Sequence, residues 1–161
     1  LPKVYGGFNT SLSWKGFDLS AIFAYSIGGY IYNRDITMIL HNGSLEGRAW
    51  STEILKRWTP ENRYTDVPAL STTSNNWNSA STRFLQNNSY MRLKNLTLSY
   101  DLPKQWISKL ALSSVQVFVQ GDNLFTIHRN QGLDPEQGIT GITYYRYPAM
   151  RTISGGINLS F

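Results

Sequence analysis

The chain has 161 residues, of which 41% are hydrophobic and only 16% are charged, and its formal net charge is +5. The charged share is low for a surface that faces water on all sides, and the absence of cysteine excludes disulfides and thiolate metal sites. No apolar run approaches the roughly 18 residues of a transmembrane helix, and the basic residues do not form the stripe that nucleic-acid binding requires.

The first part of the chain alternates apolar and polar residues with a period of two. Residues 4–14 place Phe8 and Leu12 on one face, and residues 17–31 continue the alternation after the turn signal Lys15-Gly16. A period of two is typical of a β-strand, and a two-residue turn between two such runs is typical of a hairpin. The sequence therefore predicts a long β-hairpin here.

Three later segments show the same alternation, at residues 89–102, 112–126 and 151–161. With the hairpin they make five predicted strands, most of them longer than the roughly 5–6 residues usual in soluble sheets. They are long enough for the roughly 9–11 residues that a tilted strand needs to cross a bilayer. Strand length therefore favours membrane-spanning strands.

The connections alternate between short turns and two long loops, residues 32–88 and 127–150. The first loop contains Trp50, Ile54 and Trp58 at the spacing of one helix face, which predicts a short helix. In an up-and-down barrel the short connections lie on one side and the long ones on the other, as in outer-membrane barrels with periplasmic turns and extracellular loops. The sequence thus predicts an all-β membrane fold, the strands of a large antiparallel transmembrane β-barrel with a periplasmic C-terminus.

Five aromatic residues lie in the two predicted loops: Trp50, Trp58, Trp77, Tyr144 and Tyr145. Flat aromatic rings can stack on sugar rings or anchor a protein interface. They are therefore the predicted loop contacts to a substrate or to a partner protein. The alternative is that they pack the loops against one another.

The sequence contains no recognisable catalytic constellation. His41 and His128 have no Cys, Asp or Glu at metal-ligand spacing, and neither a glycine-rich phosphate loop nor a nucleophile elbow occurs. Asp134 and Glu136 could suggest a calcium loop or an acid/base pair, but in a Pro/Gly-rich stretch such residues more often cap a turn. We therefore predict no catalytic residue, no metal and no cofactor, and an enzyme is disfavoured.

The order and spacing of several short motifs resemble those of one known family. The motifs are YGGFNTSLSWKGFDLSAIFAYSIGGYIYN, RWTPEN, YMRLKNLTLSYDLP, VFVQGDNLFTI, GLDPE and YYRYPAMRTISGGINLSF. Together they cover nearly the whole chain and resemble the C-terminal end of SusC/RagA-type TonB-dependent transporters of Bacteroidetes outer membranes.

The resemblance implies a barrel of the class with roughly 22 strands and a plugged lumen. Such a transporter imports glycans, glycan fragments or peptides with energy delivered by TonB, under a SusD-like surface lipoprotein that acts as a lid. The plug and the TonB box are absent from this sequence, so we expect a C-terminal portion that joins the remainder of the same barrel and its plug in lipid. The terminal aromatic residue, Phe161, would be the signal for the barrel-assembly machinery.

Two other interpretations remain open from the residues alone. One is a soluble secreted β-sandwich that binds carbohydrate through Trp50, Trp58 and Trp77. The other is an outer-membrane adhesin barrel that transports nothing. The sandwich predicts a closed apolar core, whose members would be Val115, Val117, Val119, Ile157 and Leu159.

Overall fold

The fold is known from a computed structural model. It describes residues 1–41, 45, 47–71, 73, 79–107, 112–130, 132–136, 140–143 and 145–161. The chain divides into two compact units, of which the first contains Leu1–Gly29, Asn88–Glu136 and Tyr147–Phe161, and the second contains Tyr30–Asn87 and Gln137–Arg146. Among the described residues, no helix has the length and apolar character needed to cross a membrane.

The first unit consists mainly of strands, and the second has three short strands among its described residues. In chain order they are β1 (Val4–Trp14), β2 (Phe17–Ile27), β3 (Tyr30–Asn33), β4 (Leu85–Asn87), β5 (Tyr90–Asp101), β6 (Ser114–His128), β7 (Ile142–Thr143) and β8 (Thr152–Ser160). The described helices are α1 (Arg34–Ile39) and α2 (Lys104–Ile107), with 3₁₀ turns at Thr52–Lys56 and Thr82–Phe84. The first unit holds a five-stranded antiparallel sheet in the order β1-β2-β5-β6-β8, and the second holds a three-stranded sheet in the order β4-β3-β7.

The large sheet has one apolar face, because its registers align the apolar positions of all five strands. Phe8 lies opposite Phe23 with the two rings stacked at 4.7 Å, and Leu98 lies opposite Val119. The face is exposed instead of covered by a second layer: Leu98 is 43% exposed and Val119 is 48% exposed. Other exposed apolar members are Val4, Leu12, Leu19, Ile27, Val117, Ile127, Ile153, Ile157 and Leu159.

This exposure is the opposite of what a soluble sandwich requires, since a sandwich buries one face of each sheet. Of the five residues predicted for its core, only Val115 is buried, whereas Val117, Val119, Ile157 and Leu159 are between 42% and 64% exposed. The closed apolar core of the sandwich interpretation is therefore not formed.

The opposite face of the large sheet is polar. Asn95 donates to Asp122 on the neighbouring strand at 2.8 Å, and Asn158 donates to Gln116 at 3.2 Å. Phe118 and Ile22 are apolar exceptions on this face. The Phe118 ring lies above Gly156, where a Cβ atom would come within 2.9 Å of it. Phe118 therefore depends on the missing side chain of its partner, which explains the break in alternation at this position.

Two strands of the large sheet, β5 and β6, contain β-bulges where they have more residues than the neighbouring strand. β2 passes from Ile22 to Phe23 in one step, while β5 takes two steps between the paired residues Asn95 and Leu93. β6 takes three steps, because its residue paired with Leu93 is Phe125 and its residue paired with Asn95 is Asp122. In β5 the inserted residue is Lys94, and in β6 the insertion includes Asn123, whose φ is 52°. Each insertion preserves the apolar and polar faces on both sides of it.

The loops and strand ends differ from the sequence-based boundaries at several places. The second strand was predicted to reach residue 31 but ends at Ile27, because Gly28 and Gly29 have φ angles of 80° and 78° and interrupt the ladder. The sixth strand continues past its predicted end at residue 126 to His128. The helix predicted from Trp50 to Trp58 is only a 3₁₀ turn, Thr52–Lys56, which begins after the Ser51 cap.

Two adjacent glycines of β1 give a test of this packing. A Cβ atom on Gly7 would lie 2.8 Å from the backbone oxygen of Phe23, which cannot move without shifting the strand pair. On Gly6 it would lie 3.0 Å from the Tyr25 hydroxyl, the mobile end of a side chain. Gly7→Ala should therefore destabilise the full-length protein by about 1–3 kcal/mol, and Gly6→Ala by clearly less. Thermal unfolding followed by circular dichroism measures both, and equal losses would contradict the expectation.

Candidate functional site

The second unit is built from both predicted long loops, which pair with each other. β3, from the first loop, runs parallel to β7, from the second, with Tyr32 opposite Ile142 and Asn33 opposite Thr143. The Tyr32 amide also donates to the Gly141 carbonyl at 2.7 Å. Asn33 and Thr143 are 1% and 0% exposed, so this residue pair of the junction is fully buried. The two loops therefore form one folded body and present a common surface.

Tyr145, one of the predicted contact residues, is held at two points. Its amide donates to the Asp35 carboxylate at 2.9 Å, and its hydroxyl accepts from the Arg48 guanidinium at 3.4 Å. Asp35 lies in the first turn of α1, whose N-cap Asn33 accepts from the Ile36 amide at 3.1 Å. The ring of Tyr145 is nevertheless 60% exposed, so the residue is fixed and accessible at once.

Trp50 is fixed through its indole nitrogen. The indole N–H donates to Nδ1 of His41 at 3.0 Å, and the two rings meet nearly edge to face, at 78°, with 5.3 Å between centroids. The next amide, of Ser51, donates to the carbonyl of Ile39 at the end of α1. Trp50 remains 41% exposed.

Trp58 lies in a loop that is stabilised by its own side chains. Its amide donates to the Val67 carbonyl at 2.8 Å. The Lys56 carbonyl accepts from the Asn62 side chain at 2.9 Å and from the Thr65 hydroxyl at 2.6 Å. These bonds fold the segment back on itself and leave the Trp58 side chain at the surface, 43% exposed.

A cleft of about 400 Å³ lies in the same unit and is lined by both loops. Its described lining residues are Tyr32, Arg34, Thr37, Met38, Leu45, Ala80 and Ile142. Trp50, Trp58 and Tyr145 are not among them, so the structure places these three predicted residues elsewhere on the unit. The other two predicted residues, Trp77 and Tyr144, lie outside the described part of the chain. Nothing in the sequence marked the cleft, because its walls come from a helix and a strand with no repeating pattern.

A buried charged cluster in the first unit was also missed by the sequence reasoning. Arg92, on the polar face of β5, is only 3% exposed. Its guanidinium donates to Asp134 at 2.5 Å, to Glu136 at 2.8 Å and to the Thr126 hydroxyl at 2.9 Å. Lys94 contributes a second cation, within 2.6 Å of both Glu136 oxygens. The cluster attaches the Asp134-Glu136 segment to the sheet.

Asp134 is the centre of this attachment. Its carboxylate accepts from the amides of Glu136 at 2.9 Å and Ala149 at 2.6 Å, in addition to Arg92. Burial is the largest influence on the pKa of this carboxyl and would raise it, but these hydrogen bonds and the Arg92 charge together lower the pKa below its ordinary value. The interaction is therefore complete at neutral pH and is lost only as the pH falls through that lowered pKa.

The turn-capping interpretation of Asp134 is confirmed by these contacts, because the carboxylate accepts the amide two residues ahead. Among the described residues, no group of three or more His, Cys, Asp or Glu side chains could hold a metal ion.

Comparison with known proteins finds relatives along nearly the whole chain. It is 36% identical to the TonB-dependent receptor P3 and 30% identical to the TonB-dependent receptor P26 of Formosa agariphila, over 99% and 100% of its length. It is 26% identical to the TonB-dependent receptor SusC of Bacteroides thetaiotaomicron over 96% of its length. The chain spans only 15–17% of the length of these relatives. No family model matches it.

Two solved structures of the RagAB peptide importer match the fold. The open-open state gives a TM-score of 0.88 at 34% identity, and the closed-closed state gives 0.86 at 34% identity. Each match covers 100% of this chain and 17% of the other chain. The chain belongs to the SusC/RagA-type TonB-dependent receptors.

As part of a SusC/RagA-type receptor, an outer-membrane protein, the five-stranded sheet is a portion of a transmembrane β-barrel wall. The all-β membrane fold predicted from the sequence is thereby confirmed. Barrels of this kind turn apolar side chains toward lipid and polar ones toward the lumen. The register accordingly assigns Leu98 and Val119 to the lipid side and Asn95 and Arg92 to the lumen side. That the loop aromatics contact substrate stays a prediction.

Removing the buried cation of the cluster should release the segment that it binds. In the full-length receptor, Arg92→Met would leave Asp134, whose side chain is only 8% exposed, without its cation. We expect the attachment to weaken by about 3–5 kcal/mol, because a buried charge would lose its partner. Hydrogen exchange at the Ala149 amide, read by mass spectrometry of the peptide that contains it, measures the release.

The matched control is Lys94→Met. The side chains of Lys94 and Glu136 are 33% and 36% exposed, so this pair should contribute only about 0–1 kcal/mol. Exchange at Ala149 should then stay close to that of the unmodified receptor. Unchanged exchange in Arg92→Met would contradict the proposed attachment.

Proposed function

We propose that the chain is the C-terminal part of an outer-membrane importer that takes up oligomeric nutrients, either glycans or peptides, with energy supplied through TonB. The observation that carries the proposal is the combination of a barrel wall with two long loops that fold into one surface unit. A porin needs no such unit, whereas an importer that must recognise a large substrate does. The relatives are consistent with this, since RagAB is by name a peptide importer and the others are by name TonB-dependent receptors.

The orientation follows from the connections. Two short connections lie at the same end of the strands, namely the tight turn at Lys15-Gly16 and the connection between β5 and β6. The C-terminal strand ends there too, because Ser160 pairs with Ser114 at the start of β6. Short turns face the periplasm in outer-membrane barrels. The C-terminal residue Phe161 is therefore assigned to the periplasmic side, and the two long loops to the cell exterior.

The proposed partners follow from this topology and from the family. β1 and β8 are the edges of the sheet and would pair with further strands of the same barrel, since open edges are not tolerated in lipid. The loop unit would meet a SusD-like surface lipoprotein that closes over the substrate. The plug and the TonB contact would be supplied by other parts of the receptor.

The substrate class is proposed from the exposed aromatic side chains. Trp50, Trp58 and Tyr145 are between 41% and 60% exposed although each is held by hydrogen bonds. Such rings can stack on the apolar faces of sugars or on apolar side chains of peptides. They fit glycan fragments and peptides equally well, and the name of RagAB supports the peptide class.

Uptake by cells tests the function directly. Cells of the source organism that carry the receptor should accumulate either a fluorescently labelled tryptic digest of casein or a labelled mixture of starch oligosaccharides. Deleting the receptor gene, or a gene for TonB, should abolish that uptake. Retained uptake of both mixtures in the deletion strain would contradict the importer assignment, and surface binding without uptake would favour the adhesin.

A pair of tryptophan variants tests the assigned surface. Trp50→Ala should weaken uptake by about fivefold, which corresponds to about 1 kcal/mol of lost stacking. Trp106→Ala is the matched control, because Trp106 is also exposed, at 66%, but lies in α2 and belongs to the other unit. Equal effects of the two substitutions would argue against the loop unit as the recognition surface.

Phe161 is proposed as the assembly signal. Deleting it should lower the amount of folded receptor at the cell surface much more than the substrate affinity of the molecules that do assemble. Phe161→Trp keeps an aromatic terminus and should restore the surface level, measured by antibody labelling of intact cells. Normal surface levels of the deletion variant would contradict this role.

A further inference from the structure

His41 is a buried histidine whose tautomer is determined by its hydrogen-bond contacts. The residue follows Leu40, the C-cap of α1, and is 1% exposed. Its Nδ1 faces two N–H groups, the Trp50 indole at 3.0 Å and the Leu45 amide at 3.4 Å. Both groups can only donate, so Nδ1 must be the unprotonated acceptor and the ring proton of the neutral imidazole is on Nε2.

The other ring nitrogen has no such contact in the described part of the chain. Nε2 of His41 is buried and has no hydrogen-bond partner among the described residues. A buried N–H without an acceptor costs about 1–3 kcal/mol. An apolar side chain of similar size would avoid that cost, so packing alone does not account for a histidine here. The contact with Trp50 is the feature that an apolar residue could not supply.

The same contact determines what Trp50 presents to a ligand. The indole has one hydrogen-bond donor and no acceptor, and the donor is turned inward to His41. The hydrogen bond from Ser51 to Ile39 fixes the adjoining backbone. Trp50 is 41% exposed and therefore offers a ligand no free indole N–H.

We propose that His41 is a positioning residue that holds the Trp50 indole as a donor-free stacking surface for the imported substrate. This rests on the proposed import function. The surface suits the C–H face of a sugar ring or an apolar peptide side chain and does not select for a hydrogen-bond acceptor. His41 itself does not touch the substrate and acts only through Trp50.

Two substitutions of His41 separate positioning from packing. In His41→Asn, the side-chain oxygen can occupy nearly the place of Nδ1 and accept from the indole, so this variant should keep Trp50 in place. In His41→Leu the volume is similar but no acceptor remains, so the indole N–H should turn toward water. His128→Leu is the matched control, because His128 belongs to the other unit and its Nδ1 contacts Asn130.

Hydroxyl-radical footprinting of the full-length receptor, read at Trp50 by mass spectrometry, measures the ring position without any ligand. Oxidation of Trp50 should rise roughly twofold in His41→Leu, because the residue is only 41% exposed while the hydrogen bond holds. It should stay at the original level in His41→Asn and in the control. An unchanged footprint in His41→Leu, or an equal rise in His41→Asn, would overturn the proposal.

A second arm uses the casein digest and the starch oligosaccharides as probes. His41→Leu should weaken binding of the active mixture about fivefold, His41→Asn should restore it, and Trp50→Phe should match the loss of His41→Leu. In a double-mutant cycle the two losses should not add, because both variants break the same bond. Additive losses would overturn the positioning role. Binding of neither mixture by the unmodified receptor, with the footprint change present, would support positioning and count against the import function.

Discussion

The barrel wall depends on a register that keeps apolar side chains on one face across all five strands. A slip of one residue would turn a whole strand over and carry its polar side chains into lipid. Inside a bilayer, backbone N–H and C=O groups that lose their partners cannot hydrogen-bond to water instead. Each mispaired position would therefore cost free energy. At the bulges β2, β5 and β6 advance by one, two and three residues between the same paired positions. The extra residues of β5 and β6 are accommodated there, and each strand keeps its apolar side chains on the same face.

The bulge at Lys94 in β5 places the cations of the charged cluster on the lumen side. Without the bulge at Lys94, regular alternation from Leu96 would turn Lys94 and Arg92 toward lipid. With it, Asn95 reaches Asp122 while Lys94 stands beside Arg92 and reaches the acidic segment of the second loop. The irregularity of the wall is thus what brings the loop attachment and the cross-strand hydrogen bond together on the lumen side.

The sequence predicted the wall well because alternation is a local signal that lipid enforces on every strand. It failed in the loops, where the pairing of β3 with β7 joins segments of only four and two residues from distant parts of the chain. Such short strands have no measurable period. Asp134 was correctly interpreted as a turn cap, but its partner Arg92 could not be found without the fold. The aromatic residues of the loops identified Trp50 as a candidate contact. Its hydrogen bond to His41 could not be predicted, because no sequence pattern links the two residues.

The folded loops also account for their own length. A structureless loop from residue 32 to 88 would be exceptional, because ordering it would cost conformational entropy without compensation. This unit offsets that cost with a small sheet and buried side chains, among them Ile31 and Phe84 at 0% and 1% exposure. Since Trp50, Trp58 and Tyr145 are already held by hydrogen bonds, a ligand need not order them on binding. Under the proposed import function, preorganisation of this kind would let a few rings supply useful affinity while each contact stays weak enough for the substrate to move on.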